Sequence, residues 1–163
     1  MRPLIAALAL SGSIFFGFQS TALALESETT NSMSASEFQN SVQGNWSFET
    51  TLYRGDSCQM WGTLTVFPSS DQGASNMDCA LKAIEMCDGE RSIVEQSCQI
   101  SLSNDVVVID SEIENFLEWK AWSSGYAPDN FELTEVSPTK MTGLLVSAVS
   151  APAVFYRSEG GIS

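Results

Sequence analysis

Four cysteines and no histidine set the chemistry open to this chain. Cys58, Cys79, Cys87 and Cys98 contain no Cys-x-x-Cys pair. Neither a zinc knuckle nor a thioredoxin-type redox site is encoded by that spacing. Without histidine the usual general base and the commonest metal ligand are both missing. A serine nucleophile would need a lysine as its base, and beyond the first residues the lysines are Lys82, Lys120 and Lys140. No catalytic residue, metal ligand or cofactor is assigned, and the chain is not expected to be an enzyme. The cysteines are expected to be structural disulfides.

The carboxylates give two further options. Asp110, Glu112 and Glu114 alternate with Ile109, Ser111 and Ile113, so they share one strand face. Three acids could hold Ca²⁺, which takes six to eight oxygens, but no Asp-x-Asp-x-Asp-Gly loop accompanies them. A solvated outer face is the simpler reading. An acid/base pair of the glycosidase kind needs two carboxyl groups across a cleft, and no spacing indicates one. Arg54-Gly55-Asp56 resembles an adhesion tripeptide, and a hairpin turn explains it more simply. Asn45-Trp46-Ser47 fits a glycosylation sequon.

The elements that must position these residues begin behind a leader. Residues 1–24 read as a signal peptide, with Arg2, an apolar run, and Ala22-Leu23-Ala24 as the cleavage site. Export to the periplasm or the extracellular space follows, and cysteines pair there. The formal net charge is -13. Such a balance argues against nucleic acid as a partner, and no second apolar run is long enough to span a bilayer. A monomer is expected.

Residues 25–43 are a polar N-terminal segment, flexible at first. A helical turn over 36–42, capped by Ser34 or Ser36, leads into the domain. The domain occupies 44–158, and 159–163 is a loose tail. Trp46, Phe48 and Leu52 fall on one face of a first strand. Strands follow over 58–67, 77–87, 92–102 and 106–113. A helix over 77–87 is the rival there, and 112–124 reads as either helix or strand. Segments 131–136, 140–149 and 153–157 are three more strands, with turns at Ser137-Pro138 and Ala151-Pro152. About eight short strands joined by tight turns make an all-β, antiparallel, up-and-down β-barrel.

Strand order then chooses among the three pairings that four cysteines allow. Asp88-Gly89 is a two-residue hairpin turn. With Cys87 facing Glu90, stepping back along both strands brings Cys79 opposite Cys98. One strand earlier, Phe67 and Met77 share an end, so Cys58 comes beside Cys87. The expected bonds are Cys58–Cys87 and Cys79–Cys98. A helix over 77–87 would instead permit Cys79–Cys87.

Gly44-Asn45-Trp46 opens the first core strand, and here the chain resembles the calycin-type barrels: lipocalins, avidins and small bacterial metalloprotease inhibitors. In lipocalins the tryptophan of Gly-x-Trp closes the barrel floor and a late arginine stacks over it. The resemblance implies those parts for Trp46 and Arg157. The inhibitors are exported, start with a similar strand and carry a cysteine soon after, as Cys58 does. They reach into a protease cleft with an N-terminal extension, a part the resemblance would give to residues 25–43. No inhibitory residues are carried over one by one.

Two functions follow as expectations. The first is a binding protein that recognises a macromolecular partner, with a secreted protease as the class the resemblance suggests. The second is a carrier of a small apolar ligand within a lipocalin-like barrel. Trp61, Trp119, Trp122, Tyr126 and Phe131 are the aromatic residues available for contact with a partner or ligand, and core packing is their alternative use.

Overall fold

A computed structural model describes residues 33–70, 76–119 and 125–158. The leader, the start of the N-terminal segment, the tail and Trp122 lie outside the described residues. The described chain forms a helix, α1 (Ala35–Val42), and eight strands: β1 (Gly44–Thr50), β2 (Cys58–Pro68), β3 (Met77–Cys87), β4 (Glu90–Ser103), β5 (Val106–Glu118), β6 (Asn130–Val136), β7 (Lys140–Val146) and β8 (Ser150–Arg157). Each strand pairs antiparallel with the next, and β8 returns to β1, so the sheet closes as an up-and-down barrel. Closure leaves the strands without the long sticky edges of an open sheet.

The strand over 77–87 is real, and its alternation explains why. In β3, Met77, Cys79, Leu81, Ala83, Glu85 and Cys87 point inward and the residues between them do not. Asp88 and Gly89 both take positive φ, 51° and 81°, as a two-residue turn between right-twisted strands requires. The β3–β4 register runs unbroken from Met77↔Ile100 to Cys87↔Glu90 and sets Cys79 opposite Cys98. The β2–β3 register sets Cys58 opposite Cys87. Both disulfides form, Cys58–Cys87 and Cys79–Cys98, with all four sulfur-bearing residues buried. The alternative Cys79–Cys87 bond falls with the helix that would have allowed it.

Large apolar side chains fill the interior. Phe48, Phe131 and Phe155 meet at ring centroid distances of 5.1–5.3 Å. Met60, Leu64, Leu133 and Met141 complete the packing around them, all nearly inaccessible. Gly62 lies on an inward position of β2, where a Cβ would stand 2.0 Å from the Lys82 carbonyl oxygen and 2.7 Å from the Phe48 ring. Only glycine lets the strands approach so closely there.

Two expectations are corrected and one open alternative is resolved. Leu52 does not share the inward face of β1: the strand ends at Thr50, and Leu52 is 53% exposed. Thr50 is the last inward residue of the alternation, and its buried hydroxyl accepts the Met60 N–H at 3.0 Å. Ala151-Pro152 is not a turn. The chain reverses at 147–149, and Pro152 sits inside β8 opposite Leu144, where the fixed φ of proline suits an extended chain. The region over 112–124 is strand as far as Glu118.

One end of the barrel is sealed by the segment before β1. Ser34 caps α1 in a capping box with Glu37. Phe38 and Val42, four residues apart on one helix face, are buried in the core. The helical turn expected over 36–42 is thus a packed helix, and Ser34 is the cap of the two candidates. The Trp46 Nε1–H donates to the Val42 carbonyl at 2.8 Å. Arg157, the register partner of Trp46, lies with its Cζ 4.2 Å from the centre of the indole. Its Nη2 donates to Ser41 O at 2.6 Å and its Nη1 to Gln43 O at 2.5 Å. Its Nε donates to Pro138 O. The bonds to Ser41 and Gln43 satisfy carbonyls that the end of a helix leaves unpaired, and a cation suits that end of the helix. Gly44 has φ +123°, and a Cβ on it would lie 2.6 Å from Arg157 Nη1. The Gly-x-Trp spacing is therefore explained by the arginine that packs over both residues.

Arg157→Ala removes three charge-assisted donors and the ring contact at once. It is expected to lower stability by about 2–3 kcal/mol in urea unfolding of the oxidised protein. Arg157→Lys should recover less than half of that, because an ammonium cannot reproduce the planar fork. Equal stability of Arg157→Ala and the parent would refute this role.

Candidate functional site

The opposite end of the barrel differs in chemistry. Among the described residues it is bounded by 51–57, the Asp88-Gly89 turn, Trp119, residues 125–129 and the turn at 147–149. Inward positions that are aliphatic at mid-barrel become polar here: Thr50, Glu85, Ser92, Gln96 and Ser111 are buried, as is Asp129 in the loop before β6. Period-two alternation delivers each strand residue inward, since Glu85 lies between Ala83 and Cys87, and Gln96 between Val94 and Cys98.

The groups are knit by short hydrogen bonds. Asp129 Oδ2 accepts from Gln96 Nε2 and from the Tyr126 hydroxyl, both at 2.6 Å. The Asp129 N–H returns to Gln96 Oε1 at 3.0 Å. Ser111 Oγ donates to the Asp129 carbonyl at 2.9 Å, and the Ser111 N–H donates to Asn130 Oδ1 at 2.8 Å. The Tyr53 hydroxyl donates to Glu85 Oε1 at 2.6 Å. A network so connected avoids the penalty of lone buried polar atoms.

Burial holds the Asp129 carboxyl at a pKa of about 7; the bonds from Tyr126 and Gln96 oppose that rise, and the Glu85 charge adds to it. Burial likewise pushes the Tyr126 phenol well above its ordinary value, with the Asp129 charge as the next cause. Tyr53 is raised by burial and then by its bond to Glu85. Both tyrosines are hydrogen-bond donors, not bases.

A cavity of about 30 Å³ opens beside this network, lined by Met60, Glu85, Tyr126, Asp129, Leu145 and Val149. That volume suits about one water molecule. Two carboxyl groups, one titrating near neutrality, are what acid/base chemistry uses. Here both are buried, at 4% and 1% exposure, and the cavity beside them admits no sugar ring. Cys58, Glu85 and Cys87 bring ligand atoms within 4.8 Å of one another, yet the two sulfurs are bonded to each other and offer no thiolate. Ser137 and Lys140 stand at Ser-x-x-Lys spacing, which the sequence reading passed over. The Ser137 hydroxyl is engaged in the β6–β7 turn, donating to Lys140 O at 2.8 Å and accepting the Lys140 N–H at 3.0 Å.

The aromatic residues proposed for contact do not converge. Phe131 is fully buried in the core. Trp61 is on the outer side of β2, opposite Glu49 and Ile84, and partly buried. Trp119, 52% exposed, follows β5 at the open end. Phe116 joins it to Tyr126, with centroids 4.4 Å from Trp119 and 5.8 Å from Tyr126. Leu117, 48% exposed, stands beside this cluster in sequence. Leu52 and Val146 are also exposed at this end. Asp110, Glu112 and Glu114 all face solvent on β5. Sequence reasoning missed Tyr53, Glu85, Gln96 and Asp129; the inward parity of Glu85 and Gln96 was the available signal.

Comparison with known proteins shows the fold. A redesigned β-barrel matches with a TM-score of 0.53 and 18% identity, covering 78% of this chain and 96% of that chain. A de novo designed fluorescence-activating β-barrel matches with a TM-score of 0.47 and 16% identity, over 72% of this chain and 94% of that one. No family model and no curated protein matches the chain. The chain is a small closed β-barrel. Its two disulfides fit an oxidising compartment, and among the described residues no helix is long and apolar enough to cross a membrane.

The Asp129 carboxyl makes stability depend on pH. Its folded pKa is raised from 3.8 to about 7. Its contribution is therefore complete below about pH 4 and is lost as pH rises to about 7, on the order of 4 kcal/mol in all. Asp129→Asn keeps an acceptor for Tyr126 and Gln96 and removes the charge. The variant should be the more stable protein at pH 8, and the difference should shrink on acidification toward pH 4. Parallel stability curves for the two proteins over that range would contradict the assignment.

Proposed function

We propose that this chain is an exported, non-enzymatic binding protein that recognises a macromolecular partner with the outside of its barrel, chiefly at the open end. The observation that carries this reading is the contrast between a filled interior and an apolar rim. Three phenylalanines and the aliphatic residues around them occupy the barrel axis, and the cavity at the open end holds about 30 Å³. Leu52, Leu117, Trp119 and Val146 meanwhile remain exposed at that same end. Exposed aromatic and aliphatic groups gathered at one end of a monomer mark a contact surface. The filled axis favours this over carriage of a small apolar ligand.

A secreted protease is the partner class that the calycin resemblance suggests, and the Trp46–Arg157 stack at the closed end supports that relation. The mode of action would differ from the one the resemblance implies. Residues 35–42 are occupied in sealing the barrel, so an extension could reach a cleft only from the part of the chain before them. Deleting residues 25–32 tests that role without unsealing the core.

Leu117→Asp combined with Trp119→Ala should leave the thermal midpoint within a few degrees of the parent, since both side chains are exposed. The pair should weaken retention of a partner from the exported proteins of the source cell by tenfold or more, as loss of two central apolar contacts would. An apolar fluorescent probe should not bind stoichiometrically. Stoichiometric probe binding with quenched tryptophan emission would favour the carrier reading instead.

A further inference from the structure

We infer that the buried Asp129 carboxyl, set beside Glu85, is a proton-operated catch. With its proton it holds residues 126–129 against the barrel; without it that stretch opens while the strands stay folded. The inference rests on the reading of this chain as a binding protein, and it places the open-end surface under control of pH.

The catch follows from how 126–129 is held. Among the described residues, no backbone-to-backbone bond ties this stretch to a strand. Its ties run through side chains. Gln96 donates to the Asp129 carboxyl and accepts the Asp129 N–H, and the Ser111 hydroxyl donates to the Asp129 carbonyl. The Ser147 hydroxyl donates to the Ala127 carbonyl at 3.3 Å. The Tyr126 hydroxyl folds the stretch back on itself through the same carboxyl. A segment held without ladder bonds lies at the low end of local stability, and here most of its ties meet at one residue.

Charge supplies the trigger. Glu85 faces Asp129 from β3, Tyr53 and Arg54 from the turn after β1, and Tyr126 from its own stretch. The other neighbours, Gln96 on β4, Ser111 on β5 and Ser147 in the β7–β8 turn, carry no charge. Both phenols are raised and keep their protons, and the Arg54 guanidinium does not titrate. Among the described residues neither carboxyl has an ion pair. The cavity beside them has room for about one water molecule, too little to hydrate a charge. Burial lifts the Asp129 pKa to about 7 from 3.8. The closed form is therefore fully favoured below about pH 4 and loses ground as pH rises to about 7, because only the open form hydrates the ionised group. Opening also parts Tyr126 from Phe116, whose ring centroids lie 5.8 Å apart. The cluster that carries Trp119 loses one ring, so a partner seated on it is held in acid and released above neutrality.

The test is amide hydrogen exchange of the oxidised protein at pH 5.5 and pH 8, each rate divided by that of the unstructured chain at the same pH. The Ser111 and Asp129 amides should open more often than those of β1 and β8 at both pH values. Their opening should rise about tenfold or more between the two. Asp129→Asn should open equally at both. Glu85→Gln should move the rise to lower pH, because the charge that adds to the Asp129 shift is gone. Exchange of Ser111 and Asp129 only together with β1 and β8 would show that no separate catch exists. Equal opening of the parent at the two pH values, a rise that survives Asp129→Asn, or an unmoved Glu85→Gln profile would equally overturn the inference. The first two readings need the parent protein alone, so they decide the matter even where a variant does not fold. None of these results touches the binding reading, which stands or falls on the Leu117 and Trp119 variants.

Discussion

The barrel depends on one seam. Trp46 and Arg157 belong to the first and last strands, and they face each other across the β1–β8 pairing that closes the sheet. Their contact is also the contact between the sheet and its plug. The indole N–H and the guanidinium together take the carbonyls of Ser41, Val42 and Gln43. Closing the sheet and sealing its end are therefore one event. Without the helix, Phe38 and Val42 would leave a gap over the core. Without the closed sheet, the helix would have no groove to enter, because eight residues form no stable helix alone.

This arrangement divides the interior in two. Toward the plug the inward residues are aromatic and aliphatic. Toward the open end they are a hydrogen-bonded set centred on Asp129 and Glu85. A polar layer inside a barrel is tolerated when each donor and acceptor is matched, and the short bonds from Tyr53, Tyr126 and Gln96 supply that match. Beside these side chains the described residues leave a cavity of about 30 Å³.

Much of the fold was legible because strands announce themselves locally. Asp88-Gly89 fixed a register, the register carried Cys79 to Cys98, and the previous hairpin carried Cys58 to Cys87. Local signals failed where tertiary contacts decide. Leu52 fits the alternation of β1, yet the strand ends at Thr50 and Leu52 lies exposed beyond it. Pro152 looks like a turn residue, yet its φ also suits a strand. The polar mouth was opaque for a different reason. Glu85 and Gln96 find their partners 32 and 33 residues away, so each one alone reads as a break in an apolar pattern. The contact role of the aromatics was readable only in part, because type does not separate core Phe131 from rim Trp119.

Both disulfides end on β3, and their loops overlap: Cys58 joins Cys87 while Cys79 joins Cys98. Any single backbone cleavage between Cys58 and Cys98 falls inside at least one of those loops. The two fragments would stay covalently tethered, held in place by the strands on either side. A nick in the segment between β2 and β3 would thus leave the molecule in one piece. In surroundings where peptidases are common, that tolerance to cutting is a form of durability separate from the free energy of folding.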